Sequence, residues 1–162
     1  MTLPLFRSFS FGIAAATLFF SAVSAAEKQH PASLDPLIAR YAHRHGIPEH
    51  LLHRLIAKES GYNAAACTRR YYGLMQITYV TARGMGYQGT PRGLLDPEVN
   101  LTYGVPYLAN AYRLSGGSEA RALRLYSSGY YNTAKRRHML SAMRTAASPS
   151  VETQAPSQTV SR

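Results

Sequence analysis

Glu59 is the residue whose type and position most readily support chemistry. It lies four residues after Leu55 and three after Ile56, so on a helix it continues their apolar stripe. A carboxyl in that place is partly desolvated, which disfavours its charged form and raises its pKa. The dipole near a helix C-terminus works in the same direction. Both effects keep the acid protonated near neutral pH, the state in which a general acid acts. Position alone still favours a surface glutamate, or one paired with Lys58 or an arginine.

Other reactive types are sparse or badly spaced. Cys67 is the single cysteine, so neither an intramolecular disulfide framework nor a Cys-rich zinc site can form. It carries no catalytic role here and is either free or paired between chains. Histidines 43, 45, 50 and 53 cluster in one stretch, but His50 and His53 lack the His-Glu-x-x-His order of a zinc protease. Solvated helix histidines are the simpler reading, with no metal and no cofactor. The 12 tyrosines matter more, because amphipathic rings both stack and hydrogen-bond in a polar cleft. Tyr71 and Tyr72, just before Gly73, are candidates to line one.

These side chains need a scaffold, and the punctuation of the sequence supplies short helices. Asp35-Pro36 reads as an N-cap with a first-turn proline, and Gly46 closes that helix. Pro48 opens a second, carrying Leu51, Leu52, Leu55 and Ile56 at helical spacing and ending at Gly61. A polar, tyrosine-rich loop covers residues 62–72, and residues 78–83 fit a short helix ended by Gly84 and Gly86. Asp96-Pro97 starts the longest helix, which runs to residue 114; Ser118 and Glu119 begin another, broken by Gly129. Residues 132–146 read as a last, basic helix. Nothing alternates cleanly enough for a strand, and no internal repeat is visible. The fold class is mainly α, with one domain over residues 33–146.

The ends read differently. Residues 1–26 have the pattern of a signal peptide: Arg7, an apolar stretch over residues 9–20, and small residues before a cut after Ala26. An uncleaved membrane anchor is the alternative, but the stretch is short against the ~20 apolar residues of a span. Residues 27–32 form a short linker. Residues 147–162, rich in Ser, Thr, Gln and Pro, read as a disordered tail. Export places the chain in the periplasm, where its net charge, +10 for the full sequence and one less once Arg7 leaves with residues 1–26, faces wall polymers and anionic lipid rather than nucleic acid. Lys135-Arg136-Arg137 is the only basic run and reads as a solvated helix face.

Several motifs then fall in order: Glu59-Ser60-Gly61-Tyr62-Asn63, Gly73-Leu74-Met75-Gln76-Ile77, Thr81-Ala82-Arg83-Gly84-Met85-Gly86-Tyr87, Leu95-Asp96-Pro97-Glu98-Val99-Asn100-Leu101, Tyr107-Leu108-Ala109-Asn110-Ala111-Tyr112 and Leu125-Tyr126-Ser127-Ser128-Gly129. Together they cover residues 48–129. In order and spacing they resemble the lytic transglycosylases of the soluble, goose-lysozyme-like type. The resemblance implies a lysozyme-like helical domain with a substrate cleft. It implies cleavage of the N-acetylmuramic acid to N-acetylglucosamine bond of peptidoglycan, with Glu59 as acid/base. It also implies that Met75 and Gln76 meet the sugar, that Tyr126 holds Glu59 or the substrate, and that Ser60 supports the acid. Asn100 falls on the helix behind the site, in a structural role. The chain departs from the family pattern at Ala64, Tyr79 and Ser127; Ser127 stands where asparagine is common after the late tyrosine.

Most glycosidases use two carboxyl groups. Here Glu27 and Glu152 sit in the ends, Asp35 and Asp96 read as caps, and Glu49, Glu98 and Glu119 occupy first turns. No second carboxylate has an evident catalytic place, although folding could bring Asp96 or Glu98 near Glu59. A one-carboxylate mechanism fits, in which the sugar's own C6 hydroxyl closes a 1,6-anhydro ring, as the family implies. Three other functions stay open on sequence: a hydrolytic muramidase, a non-catalytic wall-binding protein, and a cationic membrane-active protein, for which only residues 132–146 approach a basic amphipathic helix. The expected partners are glycan strands and, by analogy with other small wall enzymes, a wall-spanning secretion or growth assembly; the expected state is a monomer.

Overall fold

The computed structural model describes residues 31–151. The expected signal peptide, most of the linker, and the tail beyond Val151 lie outside the described residues. Among the described residues six α-helices carry the fold: α1 (Asp35–His45), α2 (Glu49–Glu59), α3 (Tyr79–Gly84), α4 (Pro97–Leu114), α5 (Glu119–Ser128) and α6 (Tyr131–Arg136). Three two-residue strands, β1 (Cys67–Thr68), β2 (Tyr71–Tyr72) and β3 (Ile77–Thr78), form one antiparallel sheet in that order. The architecture is mainly α.

Local chemistry explains the helix ends. Gly46 takes φ +64° after α1, a left-handed cap that glycine adopts without a Cβ penalty. Thr78 accepts from the Thr81 N–H at the start of α3, and Asp96 accepts from the Val99 N–H at the start of α4. Asp35 is different from its expected role. It is the first residue of α1, entered through a 3₁₀ turn (Ala32–Leu34), and Leu34 occupies the cap position.

The long helix α4 is the centre of the packing, against α1 on one side and α5 on the other. The apolar stripe of α2 is fully buried: Leu51, Leu52, Leu55 and Ile56 are each 0% exposed. Burial of each such side chain is worth roughly 1.5–3 kcal/mol, so the rotation of α2, and with it the direction of Glu59, is set by the core. A smaller cluster of Ile77, Ala82, Tyr87 and Leu94 sits under α3 and the sheet.

Two buried asparagines on α4 hold irregular chain in place. Asn100 accepts from the Met75 N–H at 2.9 Å and donates to the carbonyls of Tyr72 and Leu94, both at 2.8 Å. Asn110 accepts from the Arg144 N–H at 2.8 Å and donates to the Arg144 carbonyl and the Tyr130 hydroxyl. Each thus meets backbone groups that would otherwise be buried and unpaired.

Two further sequence expectations need correction. The strands were not foreseen, because two residues are too few to show a period. The last helix stops at Arg136 instead of running to residue 146: His138 takes φ +53°, and the chain is drawn back to α4 through Asn110. At the end of the described chain, the Val151 N–H donates to the Arg44 carbonyl of α1 at 3.1 Å.

Candidate active site

Glu59 is the last residue of α2, and its side chain is 22% exposed. It lines a cleft of about 560 Å³ with Gln76, Thr78, Tyr107, Tyr126 and Ser127. Among the described residues lining that cleft it is the only carboxylate. Burial raises the Glu59 pKa, and the Lys58 ammonium, 3.8 Å away, opposes the shift without cancelling it. The paired and the desolvated readings of Glu59 therefore both hold, with desolvation the larger.

Lys58 also donates to Ser127 Oγ at 3.4 Å. Ser127 in turn donates to the Leu123 carbonyl. The serine that departs from the family pattern thus touches the cation beside the acid.

The loop from β2 to β3 forms one wall. The Ser60 hydroxyl donates to the Leu74 carbonyl at 2.7 Å, which joins the end of α2 to this loop. Gln76 takes φ +46° and turns its amide back, donating to the carbonyls of Gly73 at 2.9 Å and Ala66 at 3.2 Å. Gly73 takes φ +68°, and an added Cβ there would lie 2.4 Å from Asn100 Nδ2, so both conformation and space require glycine.

Tyrosines complete the lining. The Tyr126 ring is 8% exposed and its hydroxyl donates to the Met75 carbonyl at 2.8 Å. Tyr107 stands edge-on to Tyr126, with ring centroids 5.2 Å apart, and leans on Tyr130 at 4.5 Å. Burial holds the Tyr126 hydroxyl well above its ordinary pKa, and the Glu59 charge adds to that. Tyr126 is therefore a neutral donor at any ordinary pH. The arrangement is a single carboxylic acid at the edge of an aromatic and amide-lined groove, suited to protonating a leaving oxygen.

The family model described as the transglycosylase SLT domain matches residues 36–146. The chain belongs to that family. Membrane-bound lytic murein transglycosylase F of Desulfosudis oleivorans is 37% identical over 99 residues, 60% of this chain and 21% of that protein. Membrane-bound lytic murein transglycosylase C of Haemophilus influenzae is 38% identical over 81 residues, 45% of this chain and 23% of that protein. The chain spans about a fifth of the length of these curated relatives. No solved structure matches it significantly.

Within this SLT domain the expected site residues divide. Glu59, Gln76 and Tyr126 line the cleft together. Met75 does not: its side chain is fully buried, with Sδ packed so closely on Gly104 that a Cβ there would lie 2.5 Å away. What Met75 brings to the site is its backbone. Ser60 acts on the loop, not on the Glu59 carboxylate. Tyr72 is half-buried against the small cluster, whereas its neighbour Tyr71 lines the cleft, as strand alternation requires.

Tyr107, which the sequence does not single out, also lines the cleft, and Lys58, named there only as a partner that would neutralise Glu59, stands beside the acid. Tyr107 sits at a helical position that reads equally as core, and only its approach to Tyr126 distinguishes it. The histidines divide as well: His43 and His50 are exposed, but His45 is 4% exposed and belongs to the interior.

Proposed function

We propose that this SLT domain is a peptidoglycan lytic transglycosylase that cleaves the N-acetylmuramic acid to N-acetylglucosamine bond. The observation that carries the proposal is the single half-buried carboxylic acid, Glu59, in a cleft walled by Gln76 and tyrosines. Family membership and the two murein transglycosylase relatives support the substrate class.

Protonated Glu59 donates its proton to the glycosidic oxygen as the bond to the anomeric carbon breaks. Positive charge develops on the sugar ring, and the substrate's own N-acetyl oxygen stabilises it from the far side, as in substrate-assisted glycosidases. The Glu59 carboxylate left behind then removes the proton from the C6 hydroxyl, and that oxygen closes on the anomeric carbon. The product is a 1,6-anhydro ring, and Glu59 ends the cycle protonated. An intramolecular hydroxyl competes with water because it is already in position. A neighbouring carboxylate raises the cost of charging Glu59, so its absence from the cleft lining leaves burial and Lys58 to set the proton affinity.

Lys58 favours the ionised form that follows proton transfer, while burial favours the acid form that precedes it. Tyr126 and Asn100 hold the Met75 backbone from two sides and so fix the wall against which the sugar would lie. An exported enzyme acting in the periplasm follows from the signal-like residues 1–26 and the wall substrate.

Mass spectrometry of fragments released from purified peptidoglycan tests the proposal. Ends carrying anhydromuramic acid, lighter by one water than reducing ends, are expected. Reducing ends alone would assign the protein to the hydrolytic muramidases.

A further inference from the structure

A second cavity of about 520 Å³ opens where the end of α1 meets α4 and the C-terminal segment. Its lining among the described residues includes His45, Arg113, Ser141, Arg144 and Ser148, and no carboxylate. His45 and Arg144 are 4% and 7% exposed, yet His45 Nδ1 and Arg144 Nε have no hydrogen-bond partner among the described residues. The other contacts of the guanidiniums are to neutral carbonyls: Arg144 donates to Pro149, and Arg113 donates to Ala142 at 2.8 Å. Arg44, on the same helix as His45, adds a further positive charge.

Buried charges are ordinarily paired, because an isolated cation away from water is costly. Here the buried Arg144 and His45 and the exposed Arg113 meet around one cavity whose described lining offers carbonyl and serine oxygens but no anion. Their mutual effect is visible in the direction of titration: burial, then Arg144 and Arg44, push His45 down to about 4, and burial, then Arg113, lowers Arg144. An anion reverses each of these penalties at once.

We propose that this cavity binds a small oxyanion, a carboxylate or phosphate group, held by the Arg113 and Arg144 guanidiniums and the His45 imidazole. The planar guanidinium fork matches either group in geometry, and the neutral imidazole donates through Nδ1–H. The site is separate from the cleft of Glu59, with which it shares no lining residue. Two sources carry this chemistry: a ligand from outside, or the carboxylate of Glu152, the residue directly after Val151.

Titration of the full chain with acetate and with inorganic phosphate, at constant ionic strength, tests the proposal. The readout is the NMR resonances of the His45 ring and the Arg144 Nε–H. A saturable shift is expected, with affinity at least about tenfold weaker in Arg144→Gln and in Arg113→Gln. Arg113 is exposed, so its variant preserves the fold even where Arg144→Gln does not. Repeating the titration with Glu152→Gln separates the sources: a gain in affinity shows that the chain's own carboxylate occupies the site, and an unchanged affinity assigns it to an outside ligand. No saturable shift in either the parent or Glu152→Gln, or a shift that survives both arginine substitutions, overturns the proposal.

Discussion

The Tyr126 hydroxyl and the Met75 carbonyl, 2.8 Å apart, join α5 to the loop between β2 and β3 across 51 residues of chain. Asn100 holds the same residue by its N–H from α4. Both backbone polar groups of Met75 are thereby committed, and the cleft wall beside Glu59 is fixed by residues that need not touch substrate themselves. Replacing Tyr126 with Phe leaves the Met75 carbonyl buried without that partner. The expected cost is about 1–2 kcal/mol of stability, with a fall in the rate of fragment release while Glu59 is intact. Chemical denaturation and a release assay on the same preparation check both; unchanged values in both would show that the bond does not position the wall.

Asn100 and Gly73 form a second such pair. Asn100→Leu leaves the Met75 N–H and the Tyr72 and Leu94 carbonyls without their side-chain partner, at a cost of roughly 3 kcal/mol or more. Gly73→Ala forces a Cβ into the same amide from a left-handed backbone, at a cost on the order of 1–3 kcal/mol. Because both substitutions act on one contact, the double variant is expected to lose less than the two single losses combined. Additive losses in denaturant titrations would separate them.

Helix punctuation made most of this fold legible. Asp96, Gly46, Gly61 and Gly129 mark helix ends that the structure contains at or within two residues of the expected place. The direction of Glu59 followed from the spacing of Leu55 and Ile56, since a stripe that must be buried sets the rotation of its helix. Side-chain direction in the loop was not legible. Met75 turns inward because Gly104, 29 residues on, leaves room for its thioether. Residues 132–146 carry enough charge to read as a helix face, but nothing local reports that Asn110 captures the backbone of Arg144. In each case the missing information is a contact between distant segments.

Lys58 tunes the acid. Burial raises the Glu59 pKa and Lys58 opposes it, so Lys58→Met leaves burial unopposed and moves the pKa further up. A general acid works in its protonated form, so activity is lost as pH rises through that pKa. The alkaline limb of kcat/KM is therefore expected to shift to higher pH in Lys58→Met. A shift to lower pH, or none, would separate Lys58 from the titration of Glu59.

His45 gives stability a pH dependence of the opposite sense. Its folded value of about 4 lies below the ordinary 6.5, because of burial and of Arg144 and Arg44. The unfolded chain takes up a proton that the folded chain refuses. The contribution is therefore whole above pH 6.5 and is lost as pH falls toward 4. Arg113 on α4 and Arg144 on the C-terminal segment line the cavity beside His45, Arg44 on α1 adds its charge, and no carboxylate among the described lining residues offsets them. In buffer free of carboxylate and phosphate, His45→Leu is expected to flatten the decline in melting temperature between these limits. An equally steep decline in the variant would show that other groups control it.

Glu59→Gln tests the central claim most directly. It keeps the size and burial of the side chain but cannot donate a carboxylic proton. With purified peptidoglycan, release of anhydromuramic fragments is expected to fall by roughly 10²–10⁴-fold, while the variant folds and still sediments with the glycan. Release at the parent rate by a folded Glu59→Gln protein would contradict the assignment of Glu59 as the acid.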